Sequence, residues 1–308
     1  MTHPIRLQVA TMPNSDYQTM LDRARYVEAN GFDMLTTGDH WVDWTDPQRP
    51  WLEPWVALAG LARDTSRIRL AHYVNQIPLR HPAMLARQAL TMDHLSDGRF
   101  ELGLARGVGI RNDLMGLKPV SNAQFAEGLE LLRTLWRGEK VMGHEGKMGN
   151  LPYLSMGDWM NARIPIHLVG FGPKTLRFAG KHFDGVHLHT FITDEGLRRA
   201  KALVAEGAES VGRDPQSIKV WSVYATALNP SREDFLKKFI ARMATYMQAP
   251  GYAELLIELN GWDPQVLEAF RANATVASMP GGIDSVATLE QLEEISTLIP
   301  KEWLPAAT

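Results

Sequence analysis

The chain has 308 residues with a net charge of −3, 45% of them hydrophobic and 22% charged, the composition of an ordinary globular protein of one or two domains. The near-neutral balance and the lack of a basic tract give no reason to expect a nucleic-acid partner or an anionic membrane surface. With no cysteine, disulfides, thiolate nucleophiles and cysteine-ligated metals are excluded.

The N-terminal MTHPIRLQVA lacks the pattern of a signal peptide. No apolar run reaches the roughly 20 residues that a bilayer requires, so the expectation is a cytoplasmic protein. Short apolar strands then alternate with helices. Residues 5–10 read as a strand and 16–30 as a helix closed by Gly31. Strand 32–37 precedes helix 54–63, which opens with a proline, and 68–74 is the third strand. Pro82 starts a helix with a stripe of apolar residues up to Leu95, and Ser96-Asp97-Gly98 ends it. A fourth strand at 99–104 runs into the loop Ala105–Gly109. Helix 121–137 is capped by Ser121, and strands at 164–169, 185–189 and 218–227 alternate with helices at 174–182, 194–211 and 232–247. This rhythm predicts a parallel sheet in one domain over residues 1–308, and so many βα units favour a (β/α)8 TIM barrel over an open sheet. The eighth strand is the difficulty, because only 303–308 remains for it. The expectation is a last βα unit that is short or missing, or a chain that has lost its natural C-terminus.

Ligands of parallel α/β proteins bind at the C-terminal ends of strands. The second strand ends in Gly38-Asp39-His40, with Trp41 and Trp44 just beyond. A carboxylate, an imidazole and an indole suit a flat heteroaromatic ligand; a capped polar loop explains them equally well. The third strand ends in His72-Tyr73-Val74-Asn75-Gln76, where a strained peptide against a planar ligand competes with plain packing. Arg106-Gly107-Val108-Gly109 resembles a phosphate cradle only loosely. Gly170-Phe171-Gly172-Pro173-Lys174-Thr175 is a better anion site. Its glycines allow close approach, and the helix that follows presents free N–H groups. His187 and His189 alternate along one strand, but no third ligand lies nearby, so no metal site is assigned.

The segment from Arg80 to Gly107 (RHPAMLARQALTMDHLSDGRFELGLARG), MGLKP from Met115, GDH from Gly38, GFGPKTLRFAG from Gly170, FDGV from Phe183 and GRDP from Gly212 together resemble the luciferase-like flavin-dependent oxidoreductase superfamily. The likeness runs from Ile5 to about Thr308 and is greatest to the branch that uses the deazaflavin coenzyme F420. The resemblance implies a luciferase-like α/β TIM barrel and hydride transfer between the deazaflavin and a small organic substrate. Its alternatives are an FMN-dependent two-component monooxygenase served by a separate flavin reductase, and a non-catalytic flavin-binding relative. By the same resemblance, Asp39 and His40 contact the cofactor ring, and His40 is the catalytic proton carrier. Trp44 shapes the substrate pocket, and a non-prolyl cis peptide at Tyr73-Val74 presses on the ring. Arg106, Gly107, Val108 and Asn112 line the cofactor, while Gly170, Phe171, Gly172, Pro173, Lys174 and Thr175 hold its phosphate. Val108 stands where the deazaflavin branch has an acidic residue, which leaves His40 or solvent to move protons. Tryptophans near the pocket imply an apolar or aromatic substrate, and the family implies a homodimer.

Overall fold

The computed structural model describes residues 5–40, 50–107, 116–118, 120–157, 163–279 and 281–304. They gather into two compact units. The first comprises the described residues up to Val169 together with His182–Asp184; the second comprises Gly170–Lys181 and the chain from Gly185 onward.

In chain order the first unit contains β1 (Gln8–Ala10), α1 (Tyr17–Ala29), β2 (Met34–Thr37), α2 (Pro54–Asp64), β3 (Arg69–Gln76), α3 (Pro82–Leu95), β4 (Phe100–Ala105), α4 (Asn122–Trp136), β5 (Val141–Gly146), β6 (Gly149–Leu154) and β7 (Ile166–Val169). Strands β1, β2, β3, β4 and β7 lie side by side in that order, all parallel. The helices start where the sequence supplies caps: Asp16 accepts from the Thr19 N–H, and Ser121 and Gln124 form a reciprocal capping box on α4. Every residue of β4 is buried, as expected of a strand covered on both faces. Gly103 is glycine because a Cβ there would lie 1.9 Å from the Tyr73 ring. Arg99 ties the end of α2 to the sheet by donating to the carbonyls of Ala62, Thr65 and Ile68.

The hairpin β5–β6 is antiparallel and was not expected from the sequence. Its polar, mostly exposed strands carry no apolar alternation to reveal it.

In the second unit, α5 (Pro173–His182) precedes β8 (Gly185–His187), α6 (Asp194–Glu209) and β9 (Lys219–Trp221), and β8 and β9 pair in parallel. Glycines let α5 and α6 pack closely, since a Cβ on Gly180 would meet the Val204 carbonyl at 2.0 Å. The expected strand 218–227 is only three residues long, because the chain after Trp221 leaves the ladder. The expected helix 232–247 contains a π turn at Leu236–Ile240. Trp303, expected in an eighth strand, sits instead in a 3-10 turn, Lys301–Trp303. There its N–H bonds the Pro300 carbonyl at 3.0 Å, and its ring stacks on Trp262 at 4.4 Å. Residues 305–308 lie outside the described set. No described helix is long and apolar enough to cross a membrane.

Candidate functional site

Within the first unit, the ends of β2 and β3 bring several polar groups together. Asp39 is 4% exposed, and its carboxylate accepts a hydrogen bond from Arg80. Arg80 also donates to Glu53 at 2.8 Å and lies over the Trp55 ring, 5.9 Å from its centroid. Gln76 donates to the Asp39 carbonyl at 2.9 Å. His72 is fully buried, with its Nε2 4.0 Å from the Asp39 carboxylate, and it meets the edge of Trp55. Burial pushes the Asp39 carboxyl above its ordinary range despite the opposing pull of Arg80. Burial, aided by Arg80, holds the His72 imidazole well below its usual value, so it stays neutral. His40 follows Asp39, half-buried, with its ring edge-on to Trp51 at 5.7 Å.

Strand β3 is irregular at this point. Its register against β4 shifts between His72 and Asn75, and Val74 has φ of +58°. A β-branched residue in the left-handed region is a strained one. The cis peptide implied for Tyr73-Val74 is not found, since no peptide bond among the described residues is cis. The kink is carried by Val74's φ and the bulge instead. Tyr73 itself points into the core: it is 6% exposed, its hydroxyl reaches Met34 Sδ at 3.2 Å, and its ring lies against Gly103. Buried and without hydrogen-bond partners among the described residues are Thr37 Oγ1, Asn75 Oδ1 and Gln76 Oε1, all at the ends of β2 and β3. Native proteins seldom leave such atoms unpaired except where a ligand or water meets them.

Arg106 is half-buried and donates to Asn122, and Gly107 has φ of +89°. Trp44, Val108 and Asn112 lie outside the described residues.

In the second unit, the predicted anion turn leads into α5 as expected. Gly170 donates to the His187 carbonyl at 3.0 Å. Its φ of +155° and the 2.9 Å that would separate a Cβ from Thr175 explain the glycine. Phe171 and Gly172 are buried, Thr175 is half-buried and Lys174 is exposed. Pro173 opens the helix, leaving first-turn N–H groups free of helical partners.

Sequence reasoning missed Arg80, Gln76 and Glu53 as the groups that grip Asp39. Arg80 lay in a quoted motif, but its partner is 41 residues away, a separation that no local pattern encodes. It also missed Tyr246 and Tyr252, which pack around His189.

Residues 1–292 match the luciferase-like monooxygenase family. An F420-dependent glucose-6-phosphate dehydrogenase of Segniliparus rotundus is 30% identical over 233 residues, which is 71% of this chain and 67% of that protein. The protein of the same description from Nocardia farcinica is 32% identical over 214 residues, 65% of this chain and 61% of that one. The matches thus span about two thirds or less of these relatives' length. Among solved structures, the coenzyme F420 dependent tetrahydromethanopterin reductase of Methanopyrus kandleri superposes with a TM-score of 0.70 at 18% identity, covering 96% of this chain and 91% of that one. Together these bear out the α/β barrel class expected from the sequence.

Proposed function

The chain belongs to the luciferase-like monooxygenase family and is an oxidoreductase, and we propose that it moves a hydride between the deazaflavin coenzyme F420 and a small organic substrate. The observation that carries this reading is the gripped Asp39 beside His40 at the end of β2, next to the Val74 kink. The Segniliparus rotundus and Nocardia farcinica relatives, at 30% and 32% identity, are described as F420-dependent dehydrogenases, which favours the deazaflavin over FMN.

The residues present fit such a carrier. Thr37, Asn75 and Gln76 offer unpaired polar atoms to the edge of a heteroaromatic ring, and the kink at Val74 brings backbone toward a planar face. Arg106 and Gly107 follow β4 at its ligand-binding end. Taken by itself, the Gly170–Thr175 turn of the second unit is an anion site whose N–H groups suit a phosphate. When bound, the deazaflavin supplies the hydride donor or acceptor.

The chain's own residues have three tasks. Asp39, fixed by Arg80 and Gln76, sets the backbone from which His40 projects. Hydride transfer at a carbon that carries oxygen requires a proton to move at that oxygen. Val108 has none to give, so the proton is assigned to the His40 ring. Trp44 is assigned to the substrate side.

The test is a pair of titrations with coenzyme F420 and FMN, followed by the fluorescence of each. Saturable binding of F420 at least tenfold tighter than FMN is expected. Tighter binding of FMN overturns the assignment in favour of the flavin monooxygenase reading. Tight F420 binding with no reduction by any alcohol or aldehyde donor would favour a non-catalytic relative.

A further inference from the structure

The bulge in β3 does more than bend the strand. Residues three apart on a regular strand point to opposite faces of the sheet. Between His72 and Asn75 the register against β4 shifts, with Val74 at φ of +58°, and an extra residue of this kind cancels the alternation. The two side chains therefore meet, with Asn75 Nδ2 3.1 Å from His72 Nδ1. Both residues are fully buried, so solvent does not compete for the contact.

The neighbours of the ring decide where its proton sits. Burial keeps His72 neutral, so the ring carries a single N–H. Its Nε2 lies 4.0 Å from Asp39 Oδ2, the oxygen that also accepts from Arg80. That guanidinium favours the ionised form of the carboxyl. A bare nitrogen lone pair at Nε2 would face this negative oxygen, whereas an N–H there is attracted to it. The proton thus belongs on Nε2, which makes Nδ1 the acceptor and turns the Asn75 amide so that its N–H donates. Neither His72 Nε2 nor Asn75 Oδ1 has a hydrogen-bond partner among the described residues, so nothing there pulls the pair the other way.

At 4.0 Å the N–H is a dipole aimed at the carboxylate rather than a hydrogen bond, and away from water such a dipole is poorly screened. Arg80 reaches Asp39 on a long side chain that can follow the carboxylate if it moves. The His72 ring cannot follow, because it is fully buried on β3 with the edge of Trp55 4.8 Å away.

We infer that His72 is a positioning residue for Asp39, held by Asn75 in the tautomer that turns its single N–H toward the carboxylate. The inference rests on the reading of Asp39 as part of the cofactor site. It also gives the strain at Val74 a use, since the bulge is what sets Asn75 beside the ring.

Nitrogen-15 NMR of the histidine-labelled protein at pH 7, with the His72 signal assigned by its loss in His72→Gln, reads the tautomer directly. A proton on Nε2 alone is expected; a proton on Nδ1 overturns the inference. Fluorescence titration with F420 reads the consequence. His72→Phe keeps a ring beside Trp55 but removes both nitrogens, and should raise the F420 Kd about fivefold. His72→Gln preserves the polarity, with a carbonyl to accept from Asn75 and an N–H for Asp39, and should restore the Kd to within about twofold of the parent. A packing role gives the opposite order, with phenylalanine the better replacement, and that order, or an unchanged Kd in both variants, overturns the inference. In an Asp39→Asn background His72→Phe should have little further effect, and a full additional loss would show that His72 acts elsewhere. Failure of the deazaflavin reading would look different: the parent would not bind F420 while the NMR signal stayed as expected, and the same variants would then be compared by their FMN affinity.

Discussion

The two ends of the strands in the first unit treat buried polar groups in opposite ways. At their starts, Glu101 is 1% exposed, accepts from Arg69 at 2.6 Å and meets His167 Nε2 at 2.9 Å. Burial alone would raise its carboxyl, but His167 and Arg69 outweigh it and hold the group at about 2. At the far ends of β2 and β3, Thr37, Asn75 and Gln76 keep polar atoms unpaired, and Val74 holds a strained backbone. At the starts, the ion pairs of Glu101 with Arg69 and His167 serve the fold. The ends carry unmet hydrogen-bonding capacity and strain, which is where a ligand can be recognised.

The difference predicts opposite consequences for substitution. His40→Ala should lower kcat by about two orders of magnitude or more, the usual share of a general acid or base. Its urea midpoint should stay close to that of the parent. Steady-state kinetics and urea denaturation on one preparation check both halves; full turnover would remove the role assigned to His40. Glu101→Gln should do the reverse. Breaking a buried ion pair by removing one partner costs about 3–5 kcal/mol, so the melting temperature should fall sharply while F420 affinity per folded molecule holds.

Acid should separate the same two places. Glu101 is held at about 2, below its unfolded value of about 4.5, so its stabilisation is present above the latter and is lost as the pH falls through 2. His72 is depressed well below 6.5, so the unfolded chain takes up a proton that the folded one refuses. Stability from His72 therefore starts to fall once the pH drops below 6.5. Asp39, raised by burial, opposes this trend, since its folded form binds the proton more readily. Urea midpoints at pH 7, 5 and 3 should thus decline stepwise in the parent. Glu101→Gln should flatten the step below pH 4.5, and His72→Gln the step above it.

How much of this was legible beforehand follows from the range of each interaction. Caps act within three residues, so Asp16 and Ser121 marked their helices in the sequence. The Gly170–Thr175 turn could be read because glycine and proline restrict backbone locally. Asp39 and His40 could be located because strand ends are where ligands bind. The grip of Arg80 on Asp39 joins two elements far apart in sequence, and nothing near either residue signals it. Strain at Tyr73-Val74 was anticipated as a cis peptide, but nothing local in HYVNQ tells that a left-handed φ and a bulge carry it instead. The cluster around Tyr252 was lost for the same reason, since Tyr246 and Tyr252 look like ordinary helical aromatics until the fold sets them against His189.

The smallest expected effect is also the sharpest test of the contrast, because strain at Val74 ought to be separable from packing. Val74 and Val169 are both half-buried strand valines in the same unit, Val74 at the bulge of β3 and Val169 at the end of β7. Replacing a strand valine with glycine costs roughly 1–2 kcal/mol in backbone entropy and lost contact. That loss is expected for Val169→Gly. At Val74 the same loss is offset by release of a left-handed φ, a strain of about 1–3 kcal/mol for a side chain of this kind. Val74→Gly should therefore leave the urea midpoint near the parent's or raise it slightly, while Val169→Gly lowers it. If the kink serves the ligand, F420 should bind Val74→Gly severalfold more weakly, because a glycine there can relax away from the bent path. Equal destabilisation by the two substitutions would mean that Val74 carries no strain worth releasing, and unchanged F420 affinity would mean that the ligand does not use the kink.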